Sequence, residues 1–345
     1  MDDKTFLSPE VTQHGGHMIM QNVKKPNKIK YLNIDTRFQG DYNSSKLATL
    51  TYNLPQKITE VKSIAVRNIE IPMSFYSFSS NRGNTHMKVH SSRANTDTNI
   101  VINDYSYHSY NTPTHTNEDV LPLKPPEYIV QISQNTNLIT EINSKLSVFG
   151  IDNIVSEPGP NFLSINSTGN ICSLRNYSYM NDPEGYNGVS TTYTIHFDVD
   201  ISGGFNKYNF KSTLGWCLGF RQPSYTLAPG ETIVAEGMIN INNIRYLYLV
   251  VDEFRQSNPN SFLSPLHNSF ISKNILARIT LNTEIYPFGS ILPANIFNGL
   301  LLSDQRYYSG KTDIQKLQIQ LIDDWGNIVD LNQMDFSFCL EIECE

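Results

Sequence analysis

No stretch of about 18 consecutive apolar residues occurs in the 345-residue chain, which excludes a membrane-spanning helix. The opening MDDKTFLSPE is acidic and has no apolar core segment, so no secretory signal is expected. Cysteine is scarce: Cys172, Cys217, Cys339 and Cys344 show no paired metal-ligand spacing. Cys339 and Cys344 are five apart in an expected strand, so their side chains face opposite sides and neither bridge nor ligate together. The expectation is a soluble protein of intracellular origin with free thiols, in which the sequons at Asn43, Asn166 and Asn176 carry no sugar. Charge is also sparse, at 17% of residues, and the formal net charge of −7 argues against coating a nucleic acid. Lys24, Lys25, Lys28 and Lys30 are a local exception. They read as a solvated run, or as an arm that touches an acidic neighbour or nucleic acid.

Catalytic signatures are missing too. There is no G-x-S-x-G, no H-E-x-x-H and no phosphate-binding loop. His14-Gly-Gly-His17 has no third ligand nearby, and His86 and His90 lie in an extended-looking segment rather than on a helix face. With His108, His115, His196 and His267 they read as solvent-exposed. The acid pairs Asp252-Glu253 and Asp323-Asp324 stand at strand ends. Neighbours on a strand point to opposite faces and cannot converge on one bond. No catalytic residue, cofactor-binding residue or metal ligand is therefore assigned, and no enzyme is expected.

What is present is a β pattern. Hydrophobic residues make up 39% and aromatics 11%, enough for a packed core. Residues 1–28 read as a flexible arm, and the ordered domain as 29–345. YLNIDTRF (31–38) places Leu32 and Ile34 on one face, and LATLTYNLP (47–55) ends at Pro55. In ITEVKSIAVRNIEIP (58–72) the alternation of Val61, Ile64, Val66, Ile69 and Ile71 requires a bulge near Lys62 to Ile64. Short strands are expected at 87–90 and 99–104. NLITEINSKLSVFG (137–150) is the one helix pattern, with Leu138, Ile142, Leu146 and Phe149 in a stripe. Its flanks EYIVQIS (127–133) and NFLSINS (161–167) make a strand–helix–strand insert, within an expected inserted lobe at about 100–210.

TTYTIHFDVDIS (191–202) alternates throughout, and NIRYLYLVVDEF (243–254) has a continuous apolar run suited to a strand covered on both faces. KNILARITL (273–281) is a further strand. Residues 313–343 read as a hairpin turning at Asp324 to Asn327, followed by a third run in which Phe336, Phe338, Leu340 and Ile342 line one face of the last strand. In STLGWCLGFRQPSY (212–225), Gly215 and Gly219 permit close backbone approach beside Trp216 and Phe220, either at a bend in the core or against a neighbouring subunit. Many short strands with one helix make the expected fold class all-β, a single jelly-roll sandwich with long loops.

Taken in order, YLNIDTRF (31–38), LPQKITEVKSIAVRNIEIP (54–72), LGWCLGFR (214–221), RYLYLVVDEF (245–254) and residues 313–343 resemble the penton and minor capsid proteins of nucleocytoplasmic large DNA viruses. The resemblance implies a cofactor-free jelly-roll subunit of an icosahedral virion, assembled in the host cytoplasm. It implies a homopentamer at each five-fold vertex, in contact with the major capsid protein and other minor capsid proteins. No specific nucleic-acid binding is implied. A minor (cement) protein beneath the shell is the alternative in that class. A glycan- or receptor-binding jelly roll, with Tyr105, Tyr107 and Tyr110 stacking on sugars, is the alternative outside it.

Overall fold

In the computed structural model, residues 27–38, 48–104, 138–146, 171–176, 191–206, 210–240, 244–254, 262–266, 269–283 and 285–345 are described, together with the backbone of 10–14, 17–21, 131–133, 136–137 and 163–166. The chain forms two compact units. The first comprises 1–72, 246–281 and 291–345, and the second 73–245 and 282–290. Residues 100–210 fall within the second.

In chain order the elements begin with β1 (Glu10–His14), β2 (His17–Gln21), β3 (Lys28–Asp35) and β4 (Thr49–Pro72). The second unit holds β5 (His86–Ser91), β6 (Thr96–Val101), β7 (Gln131–Ser133), β8 (Thr136–Asn137), α1 (Leu138–Leu146), β9 (Leu163–Asn166) and β10 (Ile171–Arg175). It continues with β11 (Tyr193–His196), α2 (Leu214–Cys217), β12 (Ser224–Leu227) and β13 (Thr232–Val234). The first unit resumes with β14 (Tyr246–Asp252), β15 (Ile275–Thr280), β16 (Ile291–Asn295), β17 (Leu301–Ser303), β18 (Arg306–Ile322) and β19 (Ser337–Cys344).

Every described strand pair of the first unit is antiparallel. One row runs β3–β19–β4–β16, using the C-terminal half of β4. The other runs β4–β18–β14–β15, using mainly its N-terminal half. With β4 taken as two segments, the rows read 1-8-3-6 and 2-7-4-5. That is the strand order of a jelly roll, so the topology itself gives the expected fold class. Val61, Ile64, Val66, Ile69 and Ile71 of β4 are buried, as are Phe338, Leu340 and Ile342 of β19 and Leu317, Ile319 and Leu321 of β18. A satellite cluster of Tyr248, Val250, Ile271, Ile275 and Ile322, with Phe262 and Leu266 packed on it, accounts for the apolar run of β14. One set of its residues meets the interior and the other set this cluster.

Two sequence expectations change. The strand expected to end at Pro55 continues to Pro72: the register jumps from Lys316↔Asn53 to Ile314↔Ile58, so the proline lies in an outward bulge where no ladder donor is needed. The expected bulge near Lys62 is present, because Glu343 pairs with Ser63 and Cys344 with Val61. The expected hairpin after β18 forms, with Asp323 accepting from the Trp325 and Asn327 amides at 2.9 Å, Ile322 bridging Ile328 and the Val329 amide donating to the Leu321 carbonyl. Residues 328–336 carry the chain to the other row, and β19 inserts between β3 and β4. Second, the alternating run 191–202 is strand only through His196. Asp200 accepts from the Ser202 and Gly204 amides and Gly203 takes φ +80°, so a side-chain-directed turn ends the extended chain. The arm expected over 1–28 includes the antiparallel pair β1–β2.

The second unit has a four-stranded sheet, β12–β11–β5–β6, and a three-stranded sheet, β13–β10–β9. Their core contains Met87, Val89, Tyr193, Ile195, Phe197 and Phe220, closed by Leu138, Ile142 and Leu146 of α1. The helix stripe is as expected up to Leu146, while Phe149 and Gly150 lie outside the described residues.

Candidate functional site

The polar residues singled out in the sequence do not converge. Asp252 accepts from the Phe254 amide at 2.8 Å and serves as a turn residue. Glu253 turns inward and meets Arg306 at 2.8 Å, with both side chains enclosed. Arg306 also donates to the carbonyl oxygens of Val251, Asn274 and Ile275, and the Tyr308 hydroxyl donates to Glu253 at 2.8 Å. This buried network ties β18 to β14 and the start of β15. Its members lie 53 residues apart in sequence, and no local pattern announces the pair.

His86 is buried, not exposed as expected, and its Nδ1 meets Thr85 Oγ1 at 2.9 Å. His90 meets Asp97 at 2.7 Å, and His196 packs edge-on to Phe205. His108, His115, His267, Tyr105, Tyr107 and Tyr110 lie outside the described residues, as do the side chains of His14 and His17. Among the described residues, no cluster of three or more His, Cys, Asp or Glu side chains could hold a metal ion, and no helix is long and apolar enough to cross a membrane. The four thiols are free, and burial pushes Cys172 up to about 12, so it is inert as a nucleophile at neutral pH. Cys339 is half-buried with the outward residues of β19 and Cys344 is buried, on opposite faces as expected.

The glycine-framed segment is a bend in the core. A β-carbon on Gly215 would stand 2.2 Å from Phe197 Cγ, and one on Gly219 2.1 Å from the Gly237 carbonyl oxygen. Arg221 stacks over Trp216 at 4.1 Å and donates to the Trp216 carbonyl at 2.9 Å. The Tyr225 hydroxyl donates to Glu236 at 2.7 Å, clasping the two ends of the bend.

What the first unit offers to solvent is apolar at one rim. Strands β16 and β17 are joined by a turn in which Asn295 Oδ1 accepts from the Phe297 and Asn298 amides at 2.9 Å. Asn298 Oδ1 accepts in return from the Asn295 amide at 3.1 Å. Asn298 Nδ2 donates to the Pro293 carbonyl at 2.6 Å, and Gly299 supplies φ +73°. On this fixed scaffold Phe297 is 92% exposed, with Ile291 and Leu302 also outward on the flanking strands. Among the described residues, β16 pairs with β4 alone and β17 with β15 alone, so each keeps one open edge. Sequence reasoning missed this rim, although N-I-F-N-G is a turn signal around an aromatic residue. A large apolar side chain held in water by a rigid turn is suited to burial by another surface.

No family model matches the chain, and no curated protein matches it. Among solved structures it is similar to the mavirus penton protein, with 11% identity and a TM-score of 0.39 over 92% of this chain and 100% of that one. It is also similar to a chain of the Sputnik virophage, with 16% identity and a TM-score of 0.40 over 93% of this chain and 98% of that one.

Proposed function

We propose that this protein is a structural subunit of a large icosahedral DNA virus capsid. Its role is that of a penton, which closes five-fold vertices as a homopentamer and contacts the major capsid protein and other minor capsid proteins. The observation that carries the reading is the jelly roll with an apolar, hydrogen-bonded rim turn at its open edges. A ring of five needs a heterologous interface, one patch of each copy meeting a different patch of the next. A rigid aromatic knob pays little ordering entropy when it is covered, which suits such a contact. The resemblance of five ordered sequence segments to penton and minor capsid proteins points the same way.

The native mass of the purified chain tests this directly, with five copies expected. Phe297→Asp is expected to shift the population to monomer while leaving the melting temperature within about 2 °C, because the residue touches no core. A wild-type monomer, together with labelling that places the protein away from virion vertices, would overturn the penton role. A monomer that binds glycans on an array would favour a lectin instead.

A further inference from the structure

We propose that the loop Val199–Phe205 of the second unit is an acid-released latch over the polar face of the sheet β5–β6–β11. The inference stands apart from the capsid reading and does not depend on it.

The alternation of β5 sends Met87 and Val89 into the core and His86, Lys88 and His90 to the other face. Lys88 pairs with His196 and His90 with Thr194 of β11, while His90 and Lys88 oppose Asp97 and Asn99 of β6. The loop lies across this face. Val199 bridges Phe205, Asn206 N donates to the Asp198 carbonyl at 2.6 Å, and Gly203 sits so close to Asn99 that a β-carbon would clash at 2.1 Å. Phe205 is the clasp. His196 meets its ring edge-on at 5.1 Å and the Lys88 ammonium stands 4.8 Å from its centroid.

Two of the histidines are poorly placed to carry charge. His86 is 2% exposed, and its Nε2 has no hydrogen-bond partner among the described residues. A protonated ring would need a second acceptor there, which water supplies only once the face opens. Burial holds His86 below the usual imidazole value of 6.5, outweighing the attraction of Asp200 and Asp104. Burial does the same for His196, where Asp198 and Asp97 favour charge and Lys88 and His90 oppose it. His90 and Asp97, 2.7 Å apart, lie on the same face.

The sign follows from linkage. A histidine whose folded-state value lies below its unfolded value stabilises the closed form fully above pH 6.5, and that stabilisation is lost as pH falls from 6.5 toward the folded-state value. For each such proton, the open population rises about tenfold per pH unit within that window.

Hydrogen exchange of the full chain between pH 7.5 and 5.5, corrected for the intrinsic exchange rate, reads this opening. Amides at 200–206 are expected to lose at least about tenfold protection on acidification, while those of β19 in the first unit keep theirs. The H86Q/H196Q double variant is expected to lose the acid response. Because that variant could fold poorly, F205A provides a second reading, with the loop as open at pH 7.5 as the wild type is at pH 5.5. Unchanged wild-type protection, equal loss in β19, a full acid response in H86Q/H196Q, or an F205A loop as protected as the wild type at pH 7.5 would each overturn the latch.

Discussion

Gly219→Ala is expected to cost the second unit about 3 kcal/mol or more, a large fraction of the about 5–15 kcal/mol that holds a domain folded. Two independent penalties add. The backbone at Gly219 takes φ +98°, where a β-carbon costs about 1–3 kcal/mol. That β-carbon would also stand 2.1 Å from the Gly237 carbonyl oxygen, a backbone atom that cannot swing aside as a side chain would. Gly237 has little room to retreat, since its own added β-carbon would lie 2.5 Å from Arg221 Nη2. Trp216 reports the outcome through its fluorescence, because it is stacked under Arg221 within the same bend. A variant whose urea midpoint matched the wild type would show that the bend is loose and that the glycines are incidental.

Arg306→Met is expected to cost the jelly roll about 3–5 kcal/mol, since it strands the Glu253 carboxylate in the interior. The loss should exceed that of Glu253→Gln. In the latter, Arg306 keeps the carbonyls of Val251, Asn274 and Ile275, whereas in the former Glu253 keeps the Tyr308 hydroxyl. The double variant R306M/E253L should be less unstable than the sum of R306M and E253L taken singly, with a coupling of about 2 kcal/mol in a denaturant cycle. Strict additivity would mean that the two side chains do not sense each other. That outcome would contradict the enclosed geometry.

These two features mark the limits of what was legible in the sequence. Gly215 and Gly219 announce close approach because a glycine beside bulky apolar residues has few other uses. Their partners Phe197 and Gly237 are set by the fold and leave no trace in the local pattern. The faces of β4 and β19 were readable because alternation is dictated by burial, and β14 was readable as a run covered on both faces. Whole-row pairing was not, because alternation does not show that β19 joins the row of β3 while β18 joins that of β14. At Pro55, a local rule for strand ends was overridden by a bulge that needs no donor. His86 was read as exposed because nothing in MKVH reveals the loop folded near it. The rim turn around Phe297 carried a readable turn signal, but exposure of the aromatic depends on which strands stay at the edge.

The pairing of β3 with β19 has a consequence for how the chain reaches this state. Asn27 and Glu343 meet across 316 positions, and Thr36 takes its partner Phe336 from 300 positions away. At ordinary synthesis rates, β3 waits on the order of 15–60 s for the strand that covers it. The second unit, encoded wholly between β4 and β14 apart from residues 282–290, has mostly shorter-range pairings and is able to collapse within that interval. The jelly roll therefore closes late, after the second unit has become compact. Through that interval Ile34 and the apolar face of β4 stand open to mispairing or to a chaperone.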